Sequence, residues 1–260
     1  NGTLKYALGT PDQGGWSWSI HVVDDEGGAG LWTSITLDAQ GVPSIAYMAP
    51  TVPAPDLAPV ASGVLRWVTA STGQPSSPED WSKVDLDSKD FEYWCGGGCG
   101  SGQRCRRDTN TCERTLGAAS CDDACGDGQA CFEEGCLDIV TISTVQGLPE
   151  GVGLFARSAR FSDGRVAIVY YDRSGGDLRY IEQGDGGWME PVILAGRDIE
   201  GNDVGDDGQF CDIAIGPEDD VHITYVDAIR DDLRYLDVGR GVSEIVDDGI
   251  RVSADGVSTG

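Results

Sequence analysis

The chain has 260 residues, 40% of them apolar, with 38 glycines and 11 prolines, which supports a sizeable core and favours many turns over long helices. Its 44 acidic against 18 basic residues give a formal charge of -26. That balance argues against a nucleic-acid partner, because phosphate binding comes from clustered Lys and Arg. No run approaches the roughly 18 uninterrupted apolar residues of a membrane helix, so this segment is expected to have no membrane span.

Along the chain, a leucine, a basic residue and an aromatic recur: Leu4-Lys5-Tyr6, Leu65-Arg66-Trp67, Leu178-Arg179-Tyr180 and Leu233-Arg234-Tyr235. An upstream pair of short apolar runs around a Gly or Asp turn recurs as well. It stands at Ser34–Leu37 with Ile45–Tyr47, at Ser158–Phe161 with Ile168–Tyr170, and at Asp212–Ile215 with Ile223–Tyr225. A tryptophan-led run follows each leucine phrase except the last, at Trp16 or Trp18, Trp81 and Trp188. The alternation is that of β-strands, with Ile35 and Leu37, Ile213 and Ile215, or Ile223 and Tyr225 sharing one face. Val166 to Tyr171 is apolar on both faces, as an inner strand requires.

Four strands per repeat predict the blade of a β-propeller. The fold class expected is all-β, with blades in residues 1–94 and 137–260 and a small disulfide-rich insertion at 95–136. Residues 49–63 carry four prolines and read as an extended rim loop. Leu4 to Ala7 reads as the third strand of a blade, so three full blades and a partial one are expected. The incomplete ring would be finished by further blades or by another chain.

Eight of the nine cysteines lie between Cys95 and Cys136. Cys95, Cys99 and Cys105 are each followed 26 residues later by Cys121, Cys125 and Cys131, while Cys112 matches Cys136 at 24. Two four-cysteine modules in tandem at this density point to disulfides and an extracellular, cell-surface or periplasmic location. The Cys-x3-Cys spacing departs from the Cys-x2-Cys of zinc ribbons. Cys211 begins a strand and reads as a buried free thiol, with an intermolecular disulfide as its alternative.

The run Ser-Ile-x-Leu-Asp-x-x-Gly-x-Pro-x-Ile-Ala-Tyr from Ser34 to Tyr47, followed by the Leu-Arg-aromatic strands, resembles bacterial secreted β-propeller repeats related to the sialidase-like superfamily. The resemblance implies display or binding rather than a reaction. The cysteine segment is similar to EGF-like modules, although each half has four cysteines where such a module has six. By that resemblance, the first cysteine pairs with the third and the second with the fourth in each half.

A sialidase would need an arginine cluster, a tyrosine with a glutamate, and an acid, but no intact Asp-box Ser-x-Asp-x-Gly-x-x-Trp is present. Arg66, Arg179 and Arg234 hold one repeat position, as structural residues do. Asp172 with Arg179, and Asp227 with Arg234, are expected to meet across their hairpins as exposed ion pairs. His21 and His222 lie far apart in sequence, and His222 falls at the repeat position of Ser44 and Ala167. Asp198, Glu200, Asp203, Asp206 and Asp207 form a turn-rich loop that reads either as a water-facing acidic segment or as a calcium site without EF-hand spacing. The function expected is a non-enzymatic binding or structural surface component with a protein partner or a further propeller chain. Glycan binding or hydrolysis is the alternative.

Overall fold

The structure, a computed structural model, describes residues 3–26, 28–51, 60–92, 103–106, 111–114, 129–132, 135–138, 151–197, 201, 205–248, 251–252 and 258–259. It is all-β and built from open antiparallel sheets. Among the described residues, no helix is long and apolar enough to cross a membrane.

The chain divides into two compact units, residues 1–51, 62–89 and 151–260 in one, and 52–61 and 90–150 in the other. The first unit begins with a hairpin of β1 (Leu4–Asp12) and β2 (Gly15–Asp24). A four-stranded meander follows, β3 (Leu31–Leu37), β4 (Pro43–Thr51), β5 (Val60–Ala70) and β6 (Trp81–Glu92). In the second unit, β7 (Gln103–Arg106) pairs with β8 (Thr111–Arg114), and β9 (Gln129–Phe132) with β10 (Gly135–Asp138). Register places Cys105 opposite Cys112 and Cys131 opposite Cys136. Cys95, Cys99, Cys121 and Cys125 lie outside the described residues.

The second meander is β11 (Val152–Arg160), β12 (Val166–Asp172) and β13 (Asp177–Gly184), with a last strand split into β14 (Gly187–Trp188) and β15 (Val192–Ala195). Pro191 stands at the split, where it has no N–H to give a ladder. The third meander is β16 (Asp207–Ile215), β17 (Val221–Asp227), β18 (Asp232–Asp237) and β19 (Val242–Asp247). A short pair, β20 (Arg251–Val252) with β21 (Ser258–Thr259), comes last. Every residue of β12 is buried, as its two apolar faces demand.

Acids build the turns. Asp38 accepts the amides of Gln40 and Val42 between β3 and β4, at 2.9 and 2.8 Å. Asp172 and Asp227 do the same for the second-to-third strand hairpins, through Ser174 and Gly175 and through Ile229 and Arg230. Such carboxylates mimic a backbone acceptor and close a loop locally, so much of the acidic excess is turn chemistry.

The first strand of each meander carries one device three times. Gly30, Gly153 and Gly208 have φ of 95, 94 and 113°, and two residues later Trp32, Phe155 and Phe210 have φ of 48, 55 and 52°. The strand bulges at each of these places. Positive φ in a bulky residue is strained. The glycines explain where it is needed: a Cβ on Gly30, Gly153 or Gly208 would lie 3.1, 3.1 or 2.8 Å from the Cα of Leu4, Leu65 or Leu178 on the preceding sheet. Each glycine thus seats its sheet on the leucine of the sheet before. The three aromatics then line up across sheets, with ring centroids 5.4 Å apart for Trp32 and Phe155 and 4.6 Å for Phe155 and Phe210.

Sheet faces meet over two apolar clusters. Leu4 packs with Ile45, Tyr47 and Val68 between the hairpin and the first meander, with Trp81 against them. Leu65 and Trp67 pack with Val166, Ile168 and Ile181 between the first and second meanders. Ile35 and Leu37 do share one face of β3, and that face is exposed. One sequence expectation is corrected. The first-strand equivalence is one residue off at Ser158, because register against the tyrosine strand aligns Ser34 with Arg157 and Asp212.

Substituting Gly153→Ala should therefore cost more than Gly41→Ala, which also has positive φ but open space around it. The expected losses in chemical denaturation are about 2 kcal/mol or more against about 1 kcal/mol. Equal losses would show that the close approach is not limiting.

Candidate functional site

The charged residues of the first unit gather where one sheet meets the next. Register pairs a tyrosine on the second strand with an arginine on the third in every meander: Tyr47 with Arg66, Tyr170 with Arg179, Tyr225 with Arg234. In the first two, the pair grips an aspartate from the last strand of the preceding sheet. Tyr47 Oη donates to Asp24 Oδ2 at 2.7 Å, and Arg66 Nη1 reaches the same oxygen at 3.2 Å. Tyr170 Oη donates to Asp87 Oδ2 at 2.6 Å, and Arg179 Nη1 does so at 2.5 Å.

Each clamp recruits more charge. Arg66 also bonds Asp85 and Glu26, and Lys83 spans Asp24 and Glu26. Lys89 reaches Asp172 at 3.0 Å. Asp24, Asp172 and Asp227 are fully shielded from solvent, and Arg66 nearly so. The expected pairs do form, Arg179 with Asp172 at 3.9 Å and Arg234 with Asp227 at 3.4 Å. Their character is corrected, however: the carboxylates are buried, and for Arg179 the short contact is to Asp87 of the neighbouring sheet. Asp24 and Asp87 went unnoticed in the sequence, although the spacing Trp-x5-Asp from Trp18 and Trp81 marks both.

The third junction departs from the pattern. Ala195 holds the register position opposite Leu178 that Asp24 holds opposite Leu4. Arg234 turns instead to Asp227 and Asp232 of its own sheet, and Tyr225 to Ser243. Tyr171 donates to Asp206, which joins the second and third meanders from another strand position.

Electrostatics decides what these groups can do. Burial pushes the Asp24 carboxyl up, but the Tyr47 hydroxyl, the Glu26 amide and Lys83 outweigh it and hold the group below the ordinary carboxylate range. Tyr47, Tyr170 and Tyr171 are pushed well up, by burial first and then by the carboxylates they bond. A tyrosine nucleophile needs the opposite shift. A tyrosine–glutamate contact does occur, Tyr180 Oη to Glu182 Oε2 at 2.6 Å, but burial and the glutamate raise Tyr180 too.

Of the acidic loop, only Asp206 and Asp207 among the five candidate ligands are described. Asp198, Glu200 and Asp203 lie outside the described residues. Asp206 is bonded by Tyr171 and Gln209, while Asp207 is buried opposite Asp227. Among the described residues, no three His, Cys, Asp or Glu side chains gather as a metal site. His21 accepts from Trp81 Nε1 at 3.0 Å between the hairpin and the first meander. His222 stands in a line with Asp220 and with Tyr235, whose Oη is 2.6 Å from Nδ1. Cys211 is a free buried thiol whose Sγ meets the Phe155 carbonyl at 3.3 Å, and burial pushes it up to about 12. Comparison with protein-family models and with curated proteins finds no match for this chain.

Asp24→Ala removes the acceptor of the Tyr47 hydroxyl and the Glu26 amide and one carboxylate partner each of Arg66 and Lys83, so it should lose about 3–5 kcal/mol. Tyr47→Phe should lose only about 1–3 kcal/mol, the cost of one missing donor. Urea denaturation checks both, and losses under about 0.5 kcal/mol would place the clamp among ordinary surface ion pairs.

Asp207 behaves in the reverse sense. Burial, and then the Asp227 carboxylate, raises it to about 6 from an ordinary 3.8. The stability this group contributes is complete below its unfolded value and is lost as pH rises through the folded one. Asp207→Asn should thus match the wild type near pH 3.5 and exceed it at pH 7 by about 1–3 kcal/mol. A variant less stable than the wild type at pH 7 would contradict this.

Proposed function

We propose that this chain is a stretch of an exported, non-enzymatic β-propeller that acts as a binding or structural surface component for a protein partner. The observation that carries the proposal is the use made of the arginines, tyrosines and acids. Groups a glycoside hydrolase would converge in one cleft are spent at two successive sheet junctions on the same Tyr–Arg–Asp clamp. Their tyrosines are held protonated. Successive meanders seated glycine on leucine, with their first strands side by side, support the propeller. The cysteine density supports an oxidising compartment and disulfides within Cys95–Cys136.

Glycan binding is the second reading, and Trp16 and Trp18 favour it. Both indoles are exposed on one face of β2, 6.3 Å apart, lying over Gly9. An exposed aromatic pair, even with its rings tilted by 34°, offers a face on which a sugar ring can stack.

Purified chain incubated with aryl sialosides and other aryl glycosides should give no turnover. Turnover that persists through purification and disappears in Tyr180→Phe or Glu182→Gln would overturn the non-enzymatic proposal. Quenching of tryptophan emission by a glycan, absent in Trp16→Ala, would select the second reading.

A further inference from the structure

The leucine of the third strand forms a series in which one member differs. Leu4, Leu65 and Leu178 are 4, 0 and 0% exposed, each beneath a left-handed glycine from the next first strand. Leu233 holds the same register position, opposite Asp247 as Leu4 is opposite Asp24, with the same strand irregularity beside it. It is 39% exposed. The aromatic row ends in the same way, since Phe155 is buried between Trp32 and Phe210 while Phe210 itself is 67% exposed.

We infer that the outward face of the third meander is a docking site for one further sheet of this kind, whose first strand carries Gly-x-Trp or Gly-x-Phe. The glycine, at positive φ, seats on Leu233 and the aromatic stacks on Phe210. A β-branched residue or any larger side chain in place of the glycine is refused, because its Cβ would run into the leucine backbone as it would at Gly208. A second copy of this chain is a poorer occupant, since Gly30, Gly153 and Gly208 are all already seated. The inference rests on the stacked-sheet proposal above and names what the stack accepts next.

The test extends the full chain with a second copy of residues 201–248 joined after Gly260. Leu233→Cys is introduced in the resident sheet, and its modification by a thiol reagent is followed by peptide mass spectrometry, with buried Cys211 as the reference. The thiol should react readily in the 260-residue chain and at least about tenfold more slowly in the extended one, as burial against a packed sheet requires. Gly208→Val in the added copy alone should restore rapid modification, and Phe210→Ala in the resident sheet should restore it in part. Unchanged modification on extension would overturn the inference. So would concentration-dependent protection in the 260-residue chain, which would assign the face to a second copy. Rapid modification of Leu178→Cys in the folded chain would instead sink the stacked-sheet proposal itself.

Discussion

The close approach of a glycine to a leucine backbone on the neighbouring sheet is the contact on which the first unit depends. A meander with apolar side chains on both faces has no stable existence in water, because each face must be covered. Covering requires sheets to approach within van der Waals range near their first strands, and at that range there is no room for a Cβ. The bulged first strand with its left-handed glycine and strained aromatic is the geometry that allows the approach. The strain is offset by the aromatic row and by the leucines sealed beneath it.

The same approach brings charges out of water. Acids on the last strand of one sheet are carried against the next, where an isolated carboxylate would be very unfavourable. The tyrosine hydroxyl and guanidinium that meet each of Asp24 and Asp87 make burial tolerable. They also fix one sheet's position along the other, since a slip would leave both sides unpaired. Where the acid is replaced by Ala195, the arginine of the next sheet folds back on its own hairpin aspartates. Strand register sets Asp207 opposite Asp227, and burial together with that carboxylate raises its carboxyl.

In the proposed reading, recognition falls to the edges and outer faces of the sheets. Core positions and sheet junctions consume the tyrosines and arginines, while exposed apolar residues collect at the two outward faces, around Trp16, Trp18 and Ile20 on one and around Phe210, Leu233 and Val246 on the other.

The all-β class, the strand pairs and their turns were legible in the sequence, because alternation with period two and Gly or Asp turns are local properties. Tyr170 and Arg179 could be recognised as a recurring position for the same reason, and so could the buried Val166–Tyr171 strand. What the sequence did not disclose is which groups meet between sheets. Arg179 was expected to pair with Asp172 in its own hairpin, seven residues away, yet its short contact is Asp87, distant in sequence and supplied by the neighbouring sheet. Asp206 and Asp207 look alike as neighbours in an acidic loop, but one accepts a tyrosine hydroxyl and the other is buried against a second aspartate. Strand formation is decided by neighbours along the chain. The pairing and burial of charge are decided by how sheets stack, and only the tertiary structure brings those partners together.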